Sequence, residues 1–129
     1  MNALFPIVGS AGSMLFLDAI YLTLRQSYHD NLFSSIQKSP LKIRYLAAVV
    51  VYALLTIAVY HFAVKNAKSI DDAVLRGAIV GFLMYAFYDF TNYATLTKYT
   101  FEMVVVDSLW GTMLAAAGAA AGYFVMHLK

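Results

Sequence analysis

The segment from Tyr85 to Leu96 places Tyr85, Tyr88, Asp89, Thr91, Asn92, Tyr93 and Thr95 inside a run that is otherwise apolar from Gly77 to Thr97. An Asp at the centre of a membrane-spanning helix costs about 2.5–3.5 kcal/mol on insertion scales, so a carboxylate there requires a partner or a task. At 100° per residue, Tyr85, Asp89, Asn92 and Leu96 fall within roughly 60° of one another, with Gly81 and Tyr88 close beside them. A carboxylate flanked by phenols and an amide on one helix face has the constitution of a proton or cation pathway. It also suits general acid and base chemistry on a substrate delivered by the bilayer.

Two further acids stand in comparable settings. Asp18 is followed by Tyr21 and Arg25 on the same face, and Asp107 by Trp110 and Gly111. The candidate polar pocket is therefore Asp18, Tyr21, Tyr85, Tyr88, Asp89, Asn92, Thr95, Asp107 and Trp110. Asp89 is its expected centre, with Tyr88 and Asn92 as hydrogen-bond partners, while Arg25 favours ionised Asp18 from a distance. No residue is assigned as catalytic. The three histidines, His29, His61 and His127, have no ligand spacing, so no metal or cofactor is expected. With no cysteine, the chain has no disulfide and no thiol nucleophile.

These residues must be carried by membrane helices. The 129-residue chain is 62% hydrophobic and only 12% charged, far from the usual soluble balance. Four stretches, Ala3–Leu24, Tyr45–Val64, Gly77–Thr97 and Met103–Leu128, approach or exceed the roughly 20 residues a crossing needs. The expected fold is all-α and integral to the membrane, one four-helix transmembrane domain over residues 1–129 with short loops. The first stretch lacks a basic leader and contains Asp18, so it reads as a retained span rather than a signal peptide. Tyr28, Leu32 and Ile36 recur every four residues, predicting an interfacial helix between the first two spans, within Ser27–Ile36. Ser39-Pro40 should end that helix and place Pro40 at the first position of the second span. Ser69 followed by Asp71 and Asp72 reads as a helix cap.

Asp18 and Asp89 come late in spans running toward the side that bears the 1–2 and 3–4 connections, here called side B, and Asp107 comes early in a span leaving it. All three belong to one half of the membrane. Their summed insertion cost, on the order of 7–10 kcal/mol, argues for one shared, partly hydrated pocket. Side B holds Arg25, Lys38, Lys42, Arg44 and Lys98 against Lys65, Lys68, Arg76 and Lys129 opposite, which favours a cytoplasmic side B. Gly77 and Gly81, and Gly111, Gly118 and Gly122, are packing signals in excess of what four helices need, predicting a homo-oligomer. Residues 16–21 can be laid on 87–92, and 49–52 on 104–107, suggesting two hairpins related by duplication. Membrane lipids are the expected surroundings, and the net charge of +2 gives no case for nucleic acid.

The string Tyr88-Asp89-x-Thr91-Asn92-x-Ala94-Thr95-Leu96, followed by Asp107-x-x-Trp110-Gly111 and preceded by Asp18-x-x-Tyr21, resembles the signature of DUF2177, a family of small membrane proteins. Tyr99-Thr100 stands where that family tends to show Trp-Pro, and Tyr21 where it tends to show Trp. The resemblance implies a four-helix membrane protein and no activity. Three functions follow from the residues: transport or conduction of a proton, cation or small polar solute; an enzyme or accessory protein acting on lipids; or a structural or assembly role with the acids as internal glue.

Overall fold

Where lipid replaces water, a backbone can satisfy its own polar groups only as a helix or a closed barrel, and the four long apolar segments take the first solution. The computed structural model describes residues 2–128, and the elements among them are all helical. The spans are α1 (Leu4–Leu24), α3 (Tyr45–Val64), α4 (Ile70–Thr95) and α5 (Phe101–Met126), each long and apolar enough to cross a membrane. A shorter amphipathic helix, α2 (Gln26–Gln37), follows α1 after a break at Arg25. The last span thus begins and ends two residues earlier than Met103–Leu128. The third runs from its cap at Ser69 and stops at Thr95, so Thr97 lies outside it.

Local signals explain most of these boundaries. The Ser69 hydroxyl accepts from the Asp72 amide at 3.1 Å, and the Asp72 carboxylate accepts from the Lys68 amide at 2.9 Å, a reciprocal cap that starts α4. Thr100 caps α5 in the same way, accepting from the Met103 amide at 3.1 Å. α2 ends at Lys38, which takes the left-handed conformation at φ 60° and donates its amide to the Ser34 carbonyl at 2.7 Å. Pro40 does not open the second span as expected. The Gln37 amide holds the Ser39 and Pro40 carbonyls at 3.0 and 2.9 Å, and the chain stays out of helix until Tyr45. The last turn of α3, Tyr60–Val64, widens into a π-helix whose end is marked by the Lys65 amide donating to the Tyr60 carbonyl at 2.8 Å.

α5 is the hub of the bundle, packing along α4 on one side and α1 on the other. Small residues set these distances. A side chain at Gly81 would strike the Gly111 carbonyl, one at Gly77 would approach the Ala115 carbonyl to 2.6 Å, and Gly122 makes room for Ser10. The glycines that suggested an oligomer are thus accounted for by contacts within one chain. Met14, Leu55, Val59, Val64 and Leu114 form a mainly apolar core from mid-bundle toward the end away from side B. Exposed apolar residues such as Phe16, Leu46, Leu83 and Phe87 face outward, as a lipid-facing surface requires. α3 is attached mainly through its final turns. Its side-B half is open on nearly every face, Leu46 being 79% exposed, and its first fully enclosed residues are Leu55 and Thr56.

Candidate functional site

Asp18, Asp89 and Asp107 each stand six residues from the side-B end of their helices, at Leu24, Thr95 and Phe101, about 9 Å along the axis at 1.5 Å per residue. They share one level, and all three are buried. Their surroundings differ. Asp89 is fully enclosed and accepts from the Tyr99 hydroxyl at 2.6 Å and the Ser108 hydroxyl at 3.2 Å. Asp18 accepts from the Tyr52 hydroxyl and, at 2.9 Å, from the Trp110 indole N–H. Asp107 lies beside the Asp89 carboxylate and the Tyr21 hydroxyl. No donor among the described residues completes a hydrogen bond to it, and the Tyr21 hydroxyl is itself buried without a partner.

Aromatic packing orders the cluster. Trp110 stacks on Tyr21 at 4.7 Å and 11°, and Tyr21 meets His29 of α2 edge-on at 5.7 Å. The Tyr85 ring occupies the space that a side chain at Gly111 would fill. α2 covers the side-B end. Leu32 packs with Tyr99, Met103 and Val104, the Tyr28 hydroxyl bonds Thr100, and Phe33 meets Tyr99 edge-on at 6.0 Å. Burial, and the Asp89 carboxylate it donates to, push the Tyr99 phenol well above its ordinary value, so it stays protonated as a donor. Burial and nearby Arg25 hold the His29 imidazole below its ordinary value, and its Nε2 is buried without a partner.

Beside this cluster lies a cavity of about 800 Å³, within the usual range for ligand sites. Its polar side is Asp18, Tyr21, His29, Tyr52, Tyr85 and Asp107. α2 adds Gln26 and Asp30 to the polar lining, and the other walls are mostly apolar and come from α1, α2, α3, α4, α5 and the 38–44 connection. Val51, Met84 and Tyr88 line it and are also exposed, which puts a mouth between α3 and α4 at the depth of acyl chains. The detached half of α3 is what keeps that mouth open.

Of the nine expected pocket residues, Asp18, Tyr21, Tyr85, Tyr88 and Asp107 line the cavity, while Asp89 and Trp110 stand behind it. Asn92 is half-buried near Tyr88 and Tyr99 and does not bond Asp89, so neither expected partner of that carboxylate is its actual one. Thr95 is exposed, and its hydroxyl donates to the Thr91 carbonyl at 2.9 Å, outside the cluster. Arg25 turns away from Asp18, pairing with Glu102 at 3.2 Å and lying over the Tyr28 ring at 4.2 Å. Tyr52, Tyr99 and Ser108 were not among the expected residues. Tyr52 had one usable signal: the internal alignment pairs it with Asp107, and in the structure Tyr52 bonds Asp18 while Asp107 adjoins Asp89.

Four spanning helices around a buried acidic cluster define a multi-pass integral membrane protein with an intramembrane polar centre. The family model described as "Predicted membrane protein (DUF2177)" matches residues 4–124, and the chain belongs to that family. No curated protein and no solved structure matches the chain significantly.

Proposed function

We propose that this protein binds a lipid-like amphiphile that enters sideways from the side-B leaflet, as an accessory or enzyme component of lipid handling. The observation that carries this reading is the cavity of about 800 Å³, which joins an apolar mouth at acyl-chain depth to a floor of carboxylates and phenols. An alkyl chain fits between α3 and α4, and a polar head reaches Asp18, Tyr21 and Asp107. Conduction of a proton, cation or small polar solute would need the polar cluster to continue through the other half. There Met14, Val59, Ala63, Leu114 and Ala119 close the bundle with apolar side chains. A glue role accounts for Asp89, whose two donors are both internal, and leaves the cavity unexplained.

The single tryptophan provides the test, since Trp110 stacks on a cavity-lining residue. Dodecyl amphiphiles brominated near the head are titrated into protein in neutral-lipid nanodiscs, and Trp110 fluorescence is followed. Saturable quenching is expected in the native chain and not in Ala48→Phe, which adds a ring to the cavity wall. Quenching that rises linearly and equally in both would overturn the reading.

A further inference from the structure

We infer that the head group received at the cavity floor is a primary or substituted ammonium, with Asp107 as its counter-ion. This rests on the amphiphile reading above and names the head-group class it leaves open. The argument starts from which hydrogen-bonding capacity is already used. Asp18 is occupied by Tyr52 and Trp110, and Asp89 by Tyr99 and Ser108. Asp107, which lies against the Asp89 carboxyl and Tyr21, lines the cavity with Tyr21, whose hydroxyl has no hydrogen bond. Tyr21 is an independent sign of a missing partner, because it is nine-tenths buried and a buried hydroxyl without a bond is costly. An ammonium carries several donors, enough to serve the Asp107 carboxylate and the Tyr21 oxygen together.

Charge selects the same class. The charged side chains lining the cavity are Asp18, Asp30 and Asp107, with no Lys or Arg among them, and His29 is held toward its neutral form. The nearest guanidinium, that of Arg25, pairs one terminal nitrogen with Glu102 and lies over the Tyr28 ring, while its Nε is buried without a partner near Tyr21. An anionic head would therefore meet three lining carboxylates against the single nearby guanidinium of Arg25, whereas an ammonium brings positive charge to the side-by-side Asp107 and Asp89 carboxyl groups. Tyr21, Tyr85 and Tyr88 add aromatic surfaces at the same site, which attract a desolvated cation.

The experiment compares three brominated dodecyl probes that differ only in the head: ammonium, hydroxyl and carboxylate. Each is titrated against Trp110 in the native chain, with Ala48→Phe as the baseline for simple partition into the nanodisc. The ammonium probe is expected to bind about tenfold more tightly than the hydroxyl probe, as a charge-assisted pair replaces a neutral one. Asp107→Asn should remove that preference while still binding the hydroxyl probe, and Asp107→Glu should restore part of it. Equal binding of the ammonium and hydroxyl probes, or tighter binding of the carboxylate, overturns the head-group inference and leaves the cavity reading intact. Absence of saturable binding by all three overturns both. The head-group series on the native chain decides the matter even if a variant fails to fold.

Discussion

Asp89 and Asp107 carry the same group at the same depth, yet one is closed off by two hydroxyl donors and the other faces a cavity. Replacing Asp89 by Leu leaves the Tyr99 and Ser108 hydroxyls buried without an acceptor, so it should lower stability by about 2–6 kcal/mol, at roughly 1–3 per stranded group. Asp89→Asn should keep most of that stability, because its amide oxygen can accept from Tyr99 while its nitrogen donates to Ser108. Thermal melts of the detergent-solubilised variants check the contrast, and equal losses for Leu and Asn would refute it. That three acids belong together was legible in the chain, since each violates an apolar span in the half nearer side B. Which acid faces outward was not legible. Asp89 reads from the sequence as the deepest of the three acids and looked central, but its donors come from the following turn and the next helix. Neither the stripe nor its spacing records how those two helices cross.

That crossing is set at the scale of the element, by glycines whose absent side chains let α4 and α5 touch backbone to backbone. Gly81→Ala should push the pair apart and cost about 1–3 kcal/mol, as over-packing does elsewhere. Gly12→Ala, with nothing within 4 Å of the added carbon, should be nearly neutral. Comparative melts separate the two, and an innocuous Gly81→Ala would mean the close approach is not needed. The four spans and the Tyr28, Leu32, Ile36 stripe were readable because their periodicity is local. The extended chain after Pro40 was not, because it depends on Gln37 folding back onto two carbonyls. α2 also carries a pH dependence. Burial and Arg25 keep His29 below 6.5, so the docked helix binds a proton less readily than the undocked one. Docking is therefore undiminished above that value and weakens as pH falls through and below it. Hydrogen exchange over residues 26–37, corrected for intrinsic rates, should quicken between about pH 7 and pH 5 in the native chain and not in His29→Gln. A change that persists in His29→Gln would assign it elsewhere.

At the scale of the whole molecule the bundle is asymmetric, with a mainly apolar, closely packed half on one side and the acids, the cavity and α2 on the other. The internal alignment captures a local equivalence at the acids but not the packing, since α4 and α5 lie tightly together while α1 and α3 splay. Function therefore depends on which leaflet side B faces. Its connections hold Arg25, Lys38, Lys42, Arg44 and Lys98, against Lys65, Lys68 and Arg76 among the described residues opposite, Lys129 lying outside them. Basic residues near span ends resist translocation while acids contribute little, so Asp71 and Asp72 do not alter the balance, and side B is expected to be cytoplasmic. The chain has no cysteine, so a single introduced thiol reports its side without background. Asn66 and Asn31 are exposed on opposite sides of the bundle. With a charged, impermeant maleimide on intact cells, Asn66→Cys should be labelled directly, and Asn31→Cys only after the membrane is opened. The reverse pattern would place the cavity mouth in the outer leaflet and exclude cytoplasmic-leaflet amphiphiles as its occupants.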